Sequence, residues 1–404
     1  MLALTLPAVA SAREVYQRVV PPPYVVDGLS KVAIIEGDDG RTRHFGNTVA
    51  ATLRTRIGYD QGLPEADPGL HSDVLDFASV SGPAVPGIEE VVRIGASVGA
   101  QVVLAASVDG QETEYESFSL ERTRQVKQSD GTYVSQKYTV PCGRRAVQAS
   151  GTWTLYSAAN GTVITKESFR QGAVDTDCDE GERDDLSLRS ASDMINGLIG
   201  HEAMGAAAKF APRWDRIAFK FVREQSTRDV TGAAEDGDWI TAVEGSQTTL
   251  SDDPFNAAAI YHIGLALELG GRPADAAGLY GFAKRMKDLD VYADSLTRAR
   301  KRAIELQQLK GYGLEVKPTS YAGVDALVAR ASAAAQVAVV GTAGVMKGTK
   351  NKRLPIFSDE SGTGDVLSMV PGGTDVRIIK AGATLTQIQL PDGGQGWVSS
   401  KEVK

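Results

Sequence analysis

The chain has 404 residues, more than one average domain, with 42% hydrophobic and 23% charged residues. That balance excludes a disordered chain and predicts two to four cored units. A net charge of -8 argues against nucleic acid as a partner, since nucleic-acid binders carry a basic face.

In chain order, "MLALTLPAVASAREV" comes first. Residues 1–12 read as the end of a secretory signal, with small residues permitting cleavage after Ala10 or Ala12. An apolar N-terminus without that role is the plainer alternative. No other apolar run reaches the length of a membrane span, so none is expected. "VVPPPYVVDGLS" reads as a proline-rich extended lead-in.

Residues 25–228 read as a mixed α/β unit. "KVAIIEG" is a short apolar run rich in β-branched residues, a buried strand. Phe45, Val49, Leu53 and Ile57 repeat every four residues, one helical face. "DVLDFASV" alternates like a strand, Ile88, Val91, Val92 and Ile94 have helical spacing, and "AQVVLAASVDG" is a further buried strand. This alternation predicts a sheet with helices packed on it. Beyond Asp109 the texture turns to antiparallel strands, with Asp130-Gly131 and Asn160-Gly161 as turns. A helix up to Pro212 and a last strand, "DRIAFKFVRE", follow.

The opening "KVAIIEGDDG", the helix bearing Gly46, the "GASVGAQVVLAASV" join and "LYSAANGTVI" resemble a family of bacterial envelope domains. It includes the amino-terminal domain of the Tol–Pal translocation protein and the periplasmic part of the curli secretion channel. The resemblance implies a periplasmic setting and other envelope proteins, a self-oligomer or a ring as partners.

"QSTRDVTGAAEDGDW" is small and polar and reads as a linker. In residues 250–312, Gly264, Ala276 and Ala283 are small enough for two antiparallel helices to approach closely, Tyr280 fills the gap, and Gly271 turns the chain. The pattern resembles a tetratricopeptide unit. One such unit leaves a face to be covered by the rest of the chain or by a partner. Residues 313–346 read as a helix and a small-residue linker. Its "AVVGTAGV" lacks the Lys-Ser/Thr ending of a phosphate loop.

Residues 347–404 show short strands parted by Gly, Pro, Asp and Ser, a small-barrel pattern. "LPIFSDES", "GDVLSMVPGGTDVRII" and "DGGQGWVSSKEV" resemble a bacterial SH3-like domain. That implies peptidoglycan or a protein as ligand. Trp397 and Val398 are expected in its core, because so small a barrel needs large apolar residues to close.

The fold class expected is therefore α+β and multidomain. For chemistry, the sequence is read as lacking a G-x-S-x-G nucleophile elbow, H-E-x-x-H, a Walker loop and clustered Ser/His/Asp, so no enzymatic activity and no cofactor is expected. Asp175, Asp177 and Asp179 alternate as in a calcium loop, but Gly181 is one residue late and Leu186 stands in place of the closing Glu. A solvated acidic loop is the preferred reading, with no metal. Cys142 and Cys178 flank the β-rich segment. In an oxidising compartment they are expected to form a disulfide, and closing a loop of about 37 residues stabilises by roughly 3–4 kcal/mol. Two buried thiols are the alternative.

Overall fold

The computed structural model describes residues 10–26, 28–55, 57–59, 61, 63–66, 75–179, 186–337, 341–348 and 352–404. Most of the segment read as a signal end lies outside these. Strand β1 (Ala10–Val20) precedes the lead-in. The first sheet draws on β2 (Lys31–Glu36), α1 (Gly40–Leu53), β3 (Asp76–Ser81), α2 (Ile88–Val98), β4 (Val102–Lys127), β5 (Tyr133–Ser157) and β6 (Val163–Cys178). Its strand order is β3-β2-β4-β5-β6. β2 runs parallel to β3 and β4, whereas β4, β5 and β6 are antiparallel. Parallel neighbours need crossovers, which α1 and α2 supply.

Asp39 caps α1 by accepting from the Arg41 and Thr42 backbone N–H groups. Phe45, Val49 and Leu53 then enter one core, and Ile57 lies beyond the helix end. On the other face, Val91 and Ile94 of α2 pack on Ala33, Ile35 and Val103. Ile88, expected on the same stripe, opens the helix and is 65% exposed. Helix α3 (Ala191–Phe210) covers the face that α1 covers, and β7 (Arg213–Val222) pairs antiparallel with β1 over ten register positions. β1 is absent from the sequence reading, because its alternation is polar and its partner lies some 200 residues away.

The helices that follow are α4 (Arg228–Glu235), α5 (Trp239–Asp252), α6 (Ala257–Leu269), α7 (Pro273–Met286), α8 (Asp290–Gly311) and α9 (Val324–Gln336). The stretch read as a linker in fact holds α4 and the start of α5. Val230 and Ala234 are buried there, and two apolar residues one turn apart suffice to seat a short helix. Every residue of α6 is buried, as its apolar circumference demands. Its core is shared with Phe219 and Phe221 of β7. Leu309, Tyr312 and Leu314, at the end of α8, join the core of the first sheet instead.

Strands β8 (Thr342–Val345), β9 (Arg353–Phe357), β10 (Val366–Pro371), β11 (Asp375–Lys380), β12 (Leu385–Gln389) and β13 (Gln395–Ser399) form a second sheet in the order β10-β9-β13-β12-β11-β8. It is open: among the described residues its edge strands β8 and β10 do not pair with each other. β8 lies in the segment read as a linker, where Gly344 within it and Gly341 before it mask the strand signal. Arg330 of α9 reaches Asp392 at 2.7 Å and ties this sheet to the helices.

Candidate interaction surface

The longest elements of the chain are β4 and β5, 26 and 25 residues. Typical strands have about 5–6. Their far halves leave the body of the protein. β6 accompanies β5 only as far as Cys178, which stands opposite Cys142. Beyond that pair, Ser119–Lys127 and Tyr133–Pro141 continue as a two-stranded arm that rises about 3.3 Å per residue, roughly 30 Å in all.

The turn at its tip follows the expected chemistry. Gly131 sits at φ +88, and Asp130 accepts from the backbone N–H and hydroxyl of Thr132 at 2.9 and 2.7 Å. Those bonds hold the Asp130 carboxyl below the usual carboxylate range. Register assigns the faces. Leu120 stands opposite Val140, Arg122 opposite Tyr138, Arg124 opposite Gln136 and Val126 opposite Val134. Cross-strand partners share a face, so one face carries Leu120, Val126, Val134 and Tyr138 with two arginines. The other carries Glu121, Thr123, Gln125 and Lys127 with Thr139, Lys137, Ser135 and Tyr133. The first face mixes apolar side chains with Arg122, Arg124 and Gln136; Val140 at its root is buried, but Leu120 is 41% and Val134 44% exposed. Ion pairs brace the ribbon, Glu121 with Lys137 at 2.6 Å and Glu112 with Arg145 at 2.9 Å. Exposed pairs of this kind contribute at most about 1 kcal/mol each.

The root of the arm is fastened by residues singled out in the sequence. Cys142 and Cys178 are joined in a disulfide across β5 and β6. Asp175 and Asp177 belong to β6, where an extended backbone spaces them about 7 Å apart instead of wrapping them round an ion. Asp177 accepts from the Ser187 backbone N–H and hydroxyl at 2.6 and 3.0 Å, and Asp175 from the Arg189 N–H at 2.8 Å. They pin the returning chain, whose Leu186 and Leu188 lie over Gly143, where a Cβ would approach them to 3.0 and 2.9 Å. Asp179 pairs through its backbone N–H with the Pro141 carbonyl at 3.0 Å. The remaining acidic residues of this cluster, 180–185, lie outside the described residues. Among the described residues no three His, Cys, Asp or Glu side chains gather as for a metal ion.

The helix-packing residues meet at the α6–α7 seam. A Cβ on Gly264 would lie 2.6 Å from the Tyr280 ring, and Ala276 and Ala283 are fully buried. Gly271 turns at φ +78. A feature the sequence reading missed sits beside them. Glu268, buried, accepts from Tyr280 at 2.9 Å and from Arg298 at 2.9 and 2.8 Å. Its signal, a glutamate in a helix apolar but for Tyr261 and His262, was on view. Burial pushes the Tyr261 hydroxyl up to about 12 and pulls the His262 imidazole down to about 4.

Trp397 and Val398 separate. Val398 enters the core, whereas Trp397 lies half-buried on the opposite face of the sheet, with the Lys380 ammonium 5.4 Å from its ring. The expectation of both in one core is corrected by strand alternation, which sends neighbours to opposite faces.

One G-x-S-x-G stretch, Gly95–Gly99, escapes the motif reading above. It lies at the C-terminal end of α2 rather than in a strand–turn–helix, and Ser97 donates its hydroxyl to the Ile94 carbonyl at 2.8 Å. A nucleophile elbow needs the strand before the serine. A cleft of about 590 Å³ opens between α7 and the second sheet, with Lys284, Asp288, Asp375 and Arg377 in its wall. Burial raises Asp375.

No family model matches the chain, and no curated protein matches it. Among solved structures it is similar to the PelC dodecamer from Paraburkholderia phytofirmans, at 15% identity, over 46% of this chain and 94% of that chain, with a TM-score of 0.22. No helix among the described residues is long and apolar enough to cross a membrane.

Proposed function

We propose that the protein is a non-enzymatic scaffold or assembly subunit of a periplasmic cell-envelope machine, for secretion, motility or fibre assembly, and that it acts through protein–protein contacts. The observation that carries this reading is the arm. A two-stranded ribbon with no packing is marginal in water. Here one reaches roughly 30 Å beyond its disulfide root and keeps Leu120, Val126 and Val134 exposed on one face. Such a face is built to be covered. The disulfide supports an oxidising compartment. The resemblances to the Tol–Pal and curli-channel domains, the tetratricopeptide unit and the SH3-like domain supply the envelope setting.

The test replaces Arg122–Tyr138 by Asn-Gly, a two-residue turn that preserves the register of Glu121 with Thr139. Affinity purification from native cells is expected to recover a discrete set of proteins with the full chain and to lose it with the short arm. The same set with both chains would overturn the reading.

A second reading, peptidoglycan binding through the C-terminal sheet, is favoured by the outward side of Trp397, an aromatic surface of the kind that stacks on sugars. Sedimentation with purified peptidoglycan decides it. Retention abolished by Trp397→Ala, with the fold intact, would support this second reading.

A further inference from the structure

We propose that the arm of one copy docks on the loop before α2 of a second copy, joining chains head to tail. This rests on the reading of the arm as an interaction surface and names its partner. The arm face combines Leu120, Val126 and Val134 with Arg122 and Arg124. Residues 120–140 carry four cations, Arg122, Arg124, Lys127 and Lys137, against two carboxylates, so this segment is net positive in a chain of net charge -8. Its complement is on the same chain. Val85 and Ile88 are 75% and 65% exposed. Glu89 and Glu90 follow at once in the first turn of α2; Glu90 pairs with Arg93 at 3.1 Å, and Glu89 is exposed. Two large apolar side chains beside the exposed carboxylate of Glu89 match, in sign and character, apolar side chains beside arginines. The Asn160-Gly161 turn backs Ile88, since a Cβ on Gly161 would lie 2.6 Å from it. That contact seats Ile88 against the turn.

The two halves cannot meet within one molecule. α2 packs on the sheet at the Val103 and Tyr156 end of the β4–β5 pair, and the arm tip is at the other end. The 25 steps from Val102 to Lys127 span about 80 Å along the ribbon. The receptor of a given arm therefore belongs to another copy. Different patches meeting in this way make a heterologous contact, which closes into a ring or runs on as a filament. Apolar contact supplies the attraction, and the Arg–Glu juxtaposition sets the register.

The experiment is light scattering of the purified full chain over a range of concentrations, at low salt. Association is expected and is expected to weaken as salt rises. Arg124→Glu and Glu89→Arg, both at exposed positions and both checked for an unchanged circular dichroism spectrum, should each weaken it tenfold or more. Combining them should restore it to within about threefold. Mixing Leu120→Cys with Ile88→Cys chains should yield an intermolecular disulfide. A strict monomer at every concentration, or single variants that associate as the wild type does, would overturn the proposal, as would a double variant as weak as the singles. A monomer whose co-purifying proteins still depend on the arm would overturn it while leaving the reading of the arm intact.

Discussion

At the scale of single residues, the α6–α7 seam sets the sharpest expectations. Gly264→Ala places a methyl group 2.6 Å from the ring of the fully buried Tyr280. Overpacking of that kind costs about 1–3 kcal/mol, which a shifted urea midpoint with unchanged slope would register. Glu268→Ala removes the partner of Arg298 and strands a largely buried guanidinium. A loss of about 3 kcal/mol or more is expected, read from the same unfolding curve. His262 gives a pH dependence. Its imidazole is held at about 4 by burial, against about 6.5 in the unfolded chain. As pH falls the unfolded state takes up the proton first. The contribution of neutral His262 is therefore whole above about pH 6.5, declines through the interval and levels off below about 4, a total of about 3 kcal/mol. Unfolding at pH 7 and pH 4.5 should show this decline in the wild type and a smaller one in His262→Gln.

At the scale of elements, strands and helices with a strong local pattern were legible. "KVAIIEG", the Phe45–Leu53 face and the Asp130-Gly131 turn all stand where their patterns place them. What was hidden depended on distant partners or on small residues. β1 is polar in alternation and is made by pairing with β7. α4 is a helix because Val230 and Ala234 find a core built by α6. The arm was legible as a hairpin but not as a projection, since only the end of β6 at Cys178 shows where support stops. Trp397 was misplaced because a glycine-flanked aromatic carries no mark of which face its strand turns inward. The disulfide belongs to this scale as well. It ties β6 to β5 at the root of the arm. Cys142→Ser with Cys178→Ser should lower stability by about 3–4 kcal/mol on the chain-entropy model, and reductant should lower the thermal midpoint of the wild type but not of the double variant.

At the scale of the whole molecule, the helices join the five-stranded and the six-stranded sheet. α8 delivers Leu309 and Tyr312 to the first sheet, and Arg330 of α9 holds the second through Asp392. The arm leaves this body. It carries Lys127 next to its tip and Lys137 midway along it, both exposed, so the claim that the protein works by presenting the arm to a protein surface has a direct chemical probe. The measurement is lysine-reactive crosslinking in the native cell, followed by mass spectrometry of the crosslinked peptides. Intermolecular crosslinks from Lys127 and Lys137 to one or a few defined protein surfaces are predicted. Their absence, with abundant crosslinks from lysines of the body, would contradict the account.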